Sequence, residues 1–334
     1  IDNVSIKEIQ LDVPRIDFTD DPTGHLLLEP QSTNLFTYSN DFSQWGSLSG
    51  ASVINNVLVS PDGTLNADEF VFDGTISGRI EKSVSTTNGL DYTFSIYLKN
   101  KDIANPTQVF IGTSGGGGEF VTITNGWQRF TTTQIADDTS EYPRVRYNGV
   151  GSLYAYGAQF EQQSYATSYI PTSGSAVTRN QELCNNSGTV NDFNSEEGVL
   201  YTETACIADL ANNRAISVSS DNSNYASIQY NPTSNRILGR YRNAGSFMSQ
   251  ISFDVADRTQ FSKIAFRYKQ DDFALFVNGV KVATKTSGNV LPADTFTSLN
   301  FSTSSSENPF QGKAKCVAVF KEALTDEELQ TLTT

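Results

Sequence analysis

Hydrophobic and polar residues alternate with a period of two along much of this chain. The clearest segment is 92–98, in which every even position is apolar and the positions between are more polar. Successive side chains of a strand point to opposite faces of a sheet, so this alternation predicts strands with one buried face. The segment 264–269 has the same pattern. We therefore expect a chain built mainly of β-strands.

Turn signals separate the predicted strands. The strongest is Asn278-Gly279, between the alternating segments 273–277 and 280–285. A type I′ hairpin turn needs positive φ at both central residues, which Asn and Gly tolerate best. Further turn clusters are Pro61-Asp62-Gly63, Asn88-Gly89, Asn125-Gly126 and Asn148-Gly149. Short strands at this spacing favour antiparallel sandwiches.

One helix is predicted, at the C-terminal end of the sequence. Thr325 and Glu328 have the spacing of a capping box, in which each side chain bonds the backbone of the other. Leu324, Leu329 and Leu332 can then face a sheet. The fold class that we predict is all-β: two tandem antiparallel β-sandwiches, or jelly rolls, with one short C-terminal helix.

The length of 334 residues suggests two domains. Turn-rich sequence between 172 and 190 indicates where they divide. We predict an N-terminal arm and first strand entry over 1–30, a jelly roll over 31–180 and a second sandwich over 181–334. The first residue is Ile1 and not Met, from which we expect a fragment or processed product of a longer protein.

Charge excludes some classes of protein. The chain has 37 acidic and 23 basic side chains, a net charge of −14 and one His. It lacks the basic footprint of a nucleic-acid-binding protein and any apolar stretch of membrane-spanning length. Divided at residue 180, the first part has 10 basic and 20 acidic residues and the second 13 and 17. With Lys281 and Lys285 expected on an exposed strand face, we expect the second sandwich to be the better partner for an acidic glycan.

The three cysteines cannot form a disulfide framework, because one is always left over. Cys184, Cys206 and Cys316 are expected to be small buried hydrophobic residues. A Cys206–Cys316 bridge is the alternative.

Several motifs lie before residue 180. They are PRIDF (14–18), GHLLLEPQSTNL (24–35), YSNDFSQW (38–45), PDGT (61–64), GWQRF (126–130), GAQFE (157–161) and SYATSYIPT (164–172). Together these segments resemble a module common in bacteriophage tail-fibre and other virion proteins. The module is similar to carbohydrate-binding-module jelly rolls appended to xylanases and glucanases.

The second part of the sequence contains three informative segments: EGVLY (197–201), the hairpin 273–285 and AVFKEALTDEEL (318–329). On these segments, residues from about 190 onward resemble a concanavalin A-like, laminin-G-type lectin or glucanase sandwich. The tandem order implies a phage virion surface or fibre protein, extracellular on the virion, that binds host surface polysaccharide. Other virion proteins and further copies of the chain, with a trimer favoured, are the implied partners; nucleic acid and membrane insertion are not expected. The alternatives are a structural virion component, such as a capsid decoration or head fibre, and the binding portion of a secreted polysaccharide-degrading enzyme.

We predict no enzymatic activity. Glycosidases need two carboxylates at a fixed separation, and the Glu-x-Asp-x-Glu strand motif of some relatives of the second fold is missing. His25 stands beside leucines and is expected to be structural. No His and Cys residues have zinc-ligand spacing.

Calcium is an open possibility. Asp192, Asn194 and Glu196 share part of the alternating-oxygen spacing of a calcium loop. Sandwiches of both resembled types often bind one structural calcium, so we expect up to one ion in each sandwich. The alternative for each acidic cluster is a solvated turn.

Glycan binding needs aromatic faces together with planar hydrogen-bonding side chains. Tyr97, Arg144, Arg146 and Tyr156 are expected on polar faces of predicted strands and are our candidate carbohydrate-binding residues. An ordinary solvated sheet face is the alternative for each. Trp45 and Trp127 lie within the resembled motifs and are expected in the core.

Overall fold

The computed structural model describes residues 14–18, 21–101, 108–115, 117–207, 213–304 and 307–334. The chain divides into two compact units. Gln31–Asn180 form one, named here the central unit. The described residues of Ile1–Pro30 and Gln181–Thr334 form the other, named here the discontinuous unit.

About half of the described residues lie in β-strands. The first sixteen are β1 (Arg15–Asp17), β2 (His25–Leu28), β3 (Ser32–Asn34), β4 (Ser47–Ser49), β5 (Ala51–Val59), β6 (Leu65–Asp73), β7 (Gly78–Glu81), β8 (Val84–Ser85), β9 (Asp91–Asn100), β10 (Gln108–Gly112), β11 (Gly118–Thr122), β12 (Gln128–Ile135), β13 (Ser140–Glu141), β14 (Arg144–Tyr147), β15 (Val150–Glu161) and β16 (Val177–Arg179).

The remaining strands and the helix lie in the discontinuous unit. They are β17 (Glu197–Cys206), β18 (Arg214–Asp221), β19 (Asn224–Tyr230), β20 (Arg236–Asn243), β21 (Ser246–Asp254), β22 (Ser262–Lys269), β23 (Phe273–Val277), β24 (Val280–Lys285), β25 (Ser298–Asn300), β26 (Gly312–Phe320) and α1 (Asp326–Thr333). Short 3₁₀ turns occupy Phe42–Trp45 in the central unit and Val190–Asp192 in the discontinuous unit.

The central unit contains two five-stranded antiparallel sheets. The first, named sheet I, has the order β11-β10-β14-β7-β4, and the second, named sheet II, has the order β12-β9-β15-β6-β5. Both contribute to one hydrophobic core, with Ile80, Ile111 and Val145 from sheet I and Phe94 and Leu153 from sheet II. Because alternate residues of these strands fill the core, the remaining residues lie on the outward faces of the sandwich.

The discontinuous unit is also built of two antiparallel sheets. A seven-stranded sheet has the order β1-β2-β26-β17-β22-β23-β24, and a five-stranded sheet has the order β21-β20-β19-β18-β25. Tyr241, Phe266 and Phe273 are fully buried in the main core of this unit. The architecture confirms the predicted all-β fold with its C-terminal helix.

The segment 14–28 belongs to the seven-stranded sheet of the discontinuous unit. Strand β1 pairs with β2, and β2 pairs with β26, with Leu26 opposite Ala314. His25 is buried in β2, where its ring meets the edge of Phe261 at 5.6 Å. The paired residues of β2 and β26 are more than 280 positions apart in the sequence, and local patterns do not specify such a pairing.

This placement changes the charge balance inferred by dividing the sequence at residue 180. Among the described residues, the central unit contains 8 basic and 12 acidic residues, a net charge of −4, and the discontinuous unit contains 14 and 19, a net charge of −5. Lys281 pairs with Asp326 at 2.8 Å, and Lys285 donates to the Met248 carbonyl at 2.6 Å. The described residues therefore do not make the second sandwich the less acidic one, and both of the strand lysines expected on its exposed face have partners.

The predicted hairpin and helix are both present. Val277 pairs with Val280 around Asn278 and Gly279, whose φ angles are 47° and 80°. Thr325 caps α1, and the reciprocal bond from the Thr325 N–H to Glu328 completes the capping box. Leu329 is buried in a small cluster on the seven-stranded sheet.

The cysteines are all free thiols, and their burial differs from the prediction. Cys206 is buried, Cys184 is half-buried and Cys316 is exposed. Cys206 lies opposite Gly312 and Cys316 lies opposite Glu203, so the alternative of a bridge between them is not formed. Among the described residues, no helix has the length and apolar character needed to cross a bilayer.

Candidate functional site

The outward face of sheet II carries a row of aromatic and basic side chains. Arg129 on β12 lies opposite Tyr97 on β9, and Tyr97 lies opposite Tyr156 on β15. Tyr97 alternates with Ile96 and Leu98, which are fully buried in the core. Antiparallel pairing therefore places the three side chains side by side on the outward face. We name this row and its neighbours Tyr154, Trp127, Tyr169 and Asp62 the tyrosine face.

Tyr156 is held in place from both sides. Its hydroxyl donates to Asp62 Oδ2 at 2.9 Å, and its ring lies 5.4 Å from that of Tyr169 and 5.9 Å from that of Tyr97. Burial, with smaller contributions from Tyr169 and Asp62, raises the pKa of Tyr156 well above its usual range. Tyr156 is thus a neutral, nearly buried support for its neighbours and not an exposed stacking surface.

Asp62 is fixed by the turn that contains it. Its Oδ1 atom accepts from the Ser60 hydroxyl and from the Thr64 N–H and hydroxyl, each at 2.7 Å. Its Oδ2 atom accepts from Asn66 at 2.9 Å as well as from Tyr156. Although burial acts in the opposite direction, these bonds hold the pKa of Asp62 well below its usual range. Asp62 is therefore ionised at neutral pH and presents a fixed negative charge.

A β-bulge sets the position of Tyr97. The pairing of β15 with β9 shifts between Tyr156 and Gln159, and Gly157 in this interval has φ of 62°. A Cβ atom at Gly157 would lie 3.1 Å from Tyr97 Cδ2. Glycine is thus favoured at this position for two reasons. It adopts the left-handed backbone conformation without strain, and its lack of a side chain leaves room for the Tyr97 ring.

Tyr97 is the aromatic ring of the row that remains accessible. It is half-buried, and its hydroxyl has no hydrogen-bond partner among the described residues. The Arg129 guanidinium lies 5.6 Å from the Tyr97 ring centroid and donates to the Ser95 hydroxyl at 2.8 Å. A cation on one side and a supporting tyrosine on the other leave Tyr97 as a fixed, partly solvated platform.

Trp127 lies outside the core, contrary to the prediction. It is half-buried and precedes β12, and its indole N–H donates to the Val59 carbonyl at 3.2 Å. Trp45 is buried and stacks on Phe36 at 4.6 Å, as predicted for the core. The sequence patterns did not identify Tyr154, Trp127, Arg129 and Tyr169 as site residues. The alternation in β12 and β15 could have indicated Arg129 and Tyr154, whereas the position of Tyr169 depends on tertiary packing.

The four predicted carbohydrate-binding residues do not converge. Val145 is fully buried in the core, so Arg144 and Arg146 lie on the outward face of sheet I as the alternation predicted. Tyr97 and Tyr156 lie on the outward face of sheet II. The hydrophobic core separates the two pairs, and they can belong only to two different surfaces.

The candidate calcium residues are engaged within the protein. Asp192 Oδ2 accepts from the Thr189 N–H at 2.8 Å and from its hydroxyl at 2.9 Å, and these bonds lower the Asp192 pKa. Asn194 donates to the Lys321 carbonyl at 2.9 Å and accepts from the Glu196 N–H at 3.0 Å. No group of three or more His, Cys, Asp or Glu side chains within the described ranges is arranged to hold a metal. A calcium site here stays a prediction.

Comparison with known proteins supports the assignment of the second sandwich. Residues 205–330 match the Laminin_G_3 model of the concanavalin A-like lectin/glucanases superfamily. This match confirms the predicted concanavalin A-like, laminin-G-type domain in that part of the chain. A search of curated proteins found no significant match.

Solved structures of similar sandwiches also align. Galectin-Ib from Xenopus laevis is 17% identical, covering 41% of this chain and 98% of its own, with a TM-score of 0.28. A CBM4 structure is 17% identical over 48% of this chain and 100% of its own, with a TM-score of 0.27. Domains LG4-5 of the mouse laminin α1 chain are 8% identical over 74% and 86%, with a TM-score of 0.28. These low values give no information about ligands.

Proposed function

We propose that the chain is a non-enzymatic glycan-binding protein whose central unit binds neutral saccharides on the tyrosine face. The observation that carries this proposal is the row Arg129–Tyr97–Tyr156, in which Tyr97 is half-exposed and supported on both sides. A pyranose ring has an apolar C–H face that packs on an aromatic ring, and its hydroxyl groups bond to planar polar side chains. Tyr97 supplies the ring, and Arg129 supplies donors beside it.

The tyrosine face carries charges of both signs, Arg129 and Asp62, and so has no excess of positive charge that would select an acidic sugar. Asp62 is ionised and lies against Tyr156, within the same row of contacts. A carboxylate or sulfate on the ligand would be repelled by Asp62 at short range. The fixed hydrogen bonds of Asp62 and Tyr156 also limit rearrangement on binding, which reduces the entropic cost of association.

We further propose that this binding serves attachment of a phage virion to its host, with the chain on the virion surface and repeated in an oligomer, as a trimer. The resemblance of segments 14–45 and 157–172 to virion modules supports this role. A single weak site gains avidity when several copies engage one polysaccharide, because later contacts form at high effective concentration. A purely structural virion component is the second candidate, and up to one calcium ion in each sandwich remains part of the proposal.

A glycan array with the full chain tests binding, and a competition assay tests the virion role. We expect binding of neutral oligosaccharides by the wild type and loss of at least tenfold in affinity in Tyr97→Ala. Tyr142→Ala is the matched control, since Tyr142 is exposed and outside the tyrosine face. The added chain should also block adsorption of the virus that encodes it. Glycan binding without blocking would refute the adhesin role alone, and absence of both would favour the structural role.

A further inference from the structure

The outward face of sheet I carries a second row of side chains, separate from the tyrosine face. The register places Phe120 of β11 opposite Phe110 of β10, Phe110 opposite Arg146 of β14, and Arg146 opposite Arg79 of β7. One step along the strands, Arg144 lies opposite Glu81. We name Arg79, Arg144, Arg146, Phe110 and Phe120 the arginine face.

The arginine face is positive on a negative unit. Three of the eight basic residues of the central unit lie here, although the described residues of this unit have a net charge of −4. Glu81 is the only carboxylate at the outward positions of the described strands of sheet I. Its Oε1 atom lies 3.0 Å from Arg79 Nε, and its Oε2 atom lies 3.5 Å from Arg144 Nη1. Two of the three guanidinium groups therefore share one carboxylate.

Arg146 is the cation of this face that is oriented but not neutralised. Its guanidinium lies 4.5 Å from the centroid of the Phe110 ring, and it has no carboxylate partner among the described residues. Stacking on a ring fixes the plane of a guanidinium and leaves its N–H edge available for bidentate bonding to a carboxylate. Arg144 is partly buried nearby and also donates to the Thr113 carbonyl at 2.8 Å.

The positive charges of Arg79, Arg144 and Arg146 repel one another. Burial lowers the pKa of Arg144, and the charges of Arg146 and Arg79 lower it further against the opposing effect of Glu81. An anion bound at this face would relieve that repulsion. Glu141, three residues before Arg144, is buried and accepts from the Ser114 hydroxyl and the Gly115 N–H, both at 3.1 Å.

Phe120 adds an apolar surface beside the charges. Its side chain is 64% exposed, and its ring meets the edge of Phe110 at 5.6 Å. A large exposed aromatic side chain next to an oriented guanidinium suits a ligand that has an apolar ring face and an anionic group on the same ring. A carboxylated pyranose has both features, whereas an inorganic anion has only the charge.

We propose that the arginine face is a second saccharide site that binds uronic-acid residues of an acidic polysaccharide. Arg146 binds the carboxylate, Arg79 and Arg144 supply the surrounding positive charge, and Phe120 packs on the sugar ring. This site does not depend on binding at the tyrosine face. The chain would then hold neutral and acidic sugars on opposite outward faces of one sandwich.

Titration calorimetry of the full chain with defined oligosaccharides tests the proposal. The probes are oligomers of galacturonate, mannuronate, guluronate and glucuronate, together with the methyl esters of the same oligomers and inorganic sulfate. We expect at least one uronate oligomer to bind, its methyl ester to bind at least tenfold more weakly, and sulfate to compete poorly. Binding of none of the four, or equal binding of ester and acid, would refute the site.

Variants assign the binding to this face. Arg146→Gln should weaken uronate binding at least tenfold, and Phe120→Ala should weaken it severalfold. Arg146→Lys keeps the charge but loses the planar fork, so it should also weaken binding; full retention would reduce the site to general electrostatic attraction and overturn the proposal. Arg236→Gln is the control, because it removes the same charge from an exposed strand position in the other unit.

The Tyr97→Ala variant distinguishes the uronate site on the arginine face from the neutral-saccharide site on the tyrosine face. It should abolish neutral-glycan binding and leave uronate binding unchanged. Loss of uronate binding in Tyr97→Ala, with retention in Arg146→Gln, would show that acidic sugars bind on the tyrosine face and would refute the second site. Retention of both activities in Tyr97→Ala would instead contradict the proposed neutral site alone.

Discussion

The Tyr156 hydroxyl donates a hydrogen bond to Asp62 Oδ2 at 2.9 Å, although 94 positions separate the two residues in the sequence. The bond connects the turn after β5 to the outward face of β15. It makes the backing of Tyr97 rigid, because the Tyr156 ring lies beside that of Tyr97.

The Tyr156–Asp62 bond should contribute measurably to stability. Tyr156→Phe should lower the free energy of unfolding by about 1 kcal/mol, since Asp62 loses one of its donors. Asp62→Ala removes an acceptor with five donors and should cost about 2–3 kcal/mol. Both tryptophans lie in the central unit, so tryptophan fluorescence in denaturant follows this unit in the full chain.

A double-mutant cycle isolates the bond itself. Tyr156→Phe combined with Asp62→Ala should show a coupling of about 1 kcal/mol, because the two groups are in direct contact. Tyr142→Phe is the control and should change stability by less than about 0.5 kcal/mol. If the changes in the free energy of unfolding caused by the two substitutions simply add, the structural role of the bond is contradicted.

Gly157 should be required for binding more than for folding. Gly157→Ala strains a backbone with φ of 62° and moves the Tyr97 ring, so it should reduce neutral-glycan affinity by about tenfold or more. Gly89 has φ of 83° and no atom within 4 Å of the position that a Cβ atom would take, so Gly89→Ala causes similar strain without displacing a ring. Equal glycan affinity of the two variants would contradict the positioning of Tyr97 by this bulge.

Asp68 should make the stability of the central unit depend on pH. Its carboxylate accepts from the N–H groups of Phe42 and Asn56, but burial outweighs these bonds and raises its pKa to about 6. This folded-state pKa exceeds the unfolded value of about 3.9, so the charged form opposes folding. The contribution to stability is full below about pH 4 and is lost as pH rises through about 6.

Comparison of the wild type with Asp68→Asn between pH 4 and pH 7 checks this direction. The midpoint of tryptophan-detected unfolding should fall with pH more steeply in the wild type than in the variant. The variant is expected to be less stable overall, since an amide cannot accept both N–H groups. Parallel pH profiles would show that Asp68 does not titrate in this range.

The capping box should protect the C-terminal helix locally. Thr325→Ala removes the side-chain bond to the Glu328 N–H and should cost about 1 kcal/mol, equivalent to about fivefold faster amide exchange in α1. Hydrogen exchange at the Leu329 amide, which donates to the Thr325 carbonyl, measures this opening. Glu327 lies in the same turn but outside the capping box, so Glu327→Gln is the control. An equally large increase in amide exchange in this variant would contradict the role of the capping box.

Local sequence patterns predicted where strands and turns occur better than which strands pair with one another. Alternation over 92–98 defines which residues of β9 enter the core, and Asn278-Gly279 defines its hairpin, because both depend on neighbouring residues only. The pairing of Leu26 with Ala314 depends on a contact between distant parts of the chain, which periodicity does not encode. The same limit applies to the candidate site residues: Tyr97 and Arg146 both lie on outward faces, as the alternation predicted, but local patterns did not indicate that they lie on different sheets.

The affinity of one neutral oligosaccharide, selected from the array, for the wild type, Tyr97→Ala and Tyr142→Ala tests the central claim most directly. Titration calorimetry should show unchanged affinity in Tyr142→Ala and at least a tenfold loss in Tyr97→Ala, with both variants folded by tryptophan fluorescence. Equal affinities in all three proteins would place neutral-glycan binding elsewhere and contradict the role assigned to the tyrosine face.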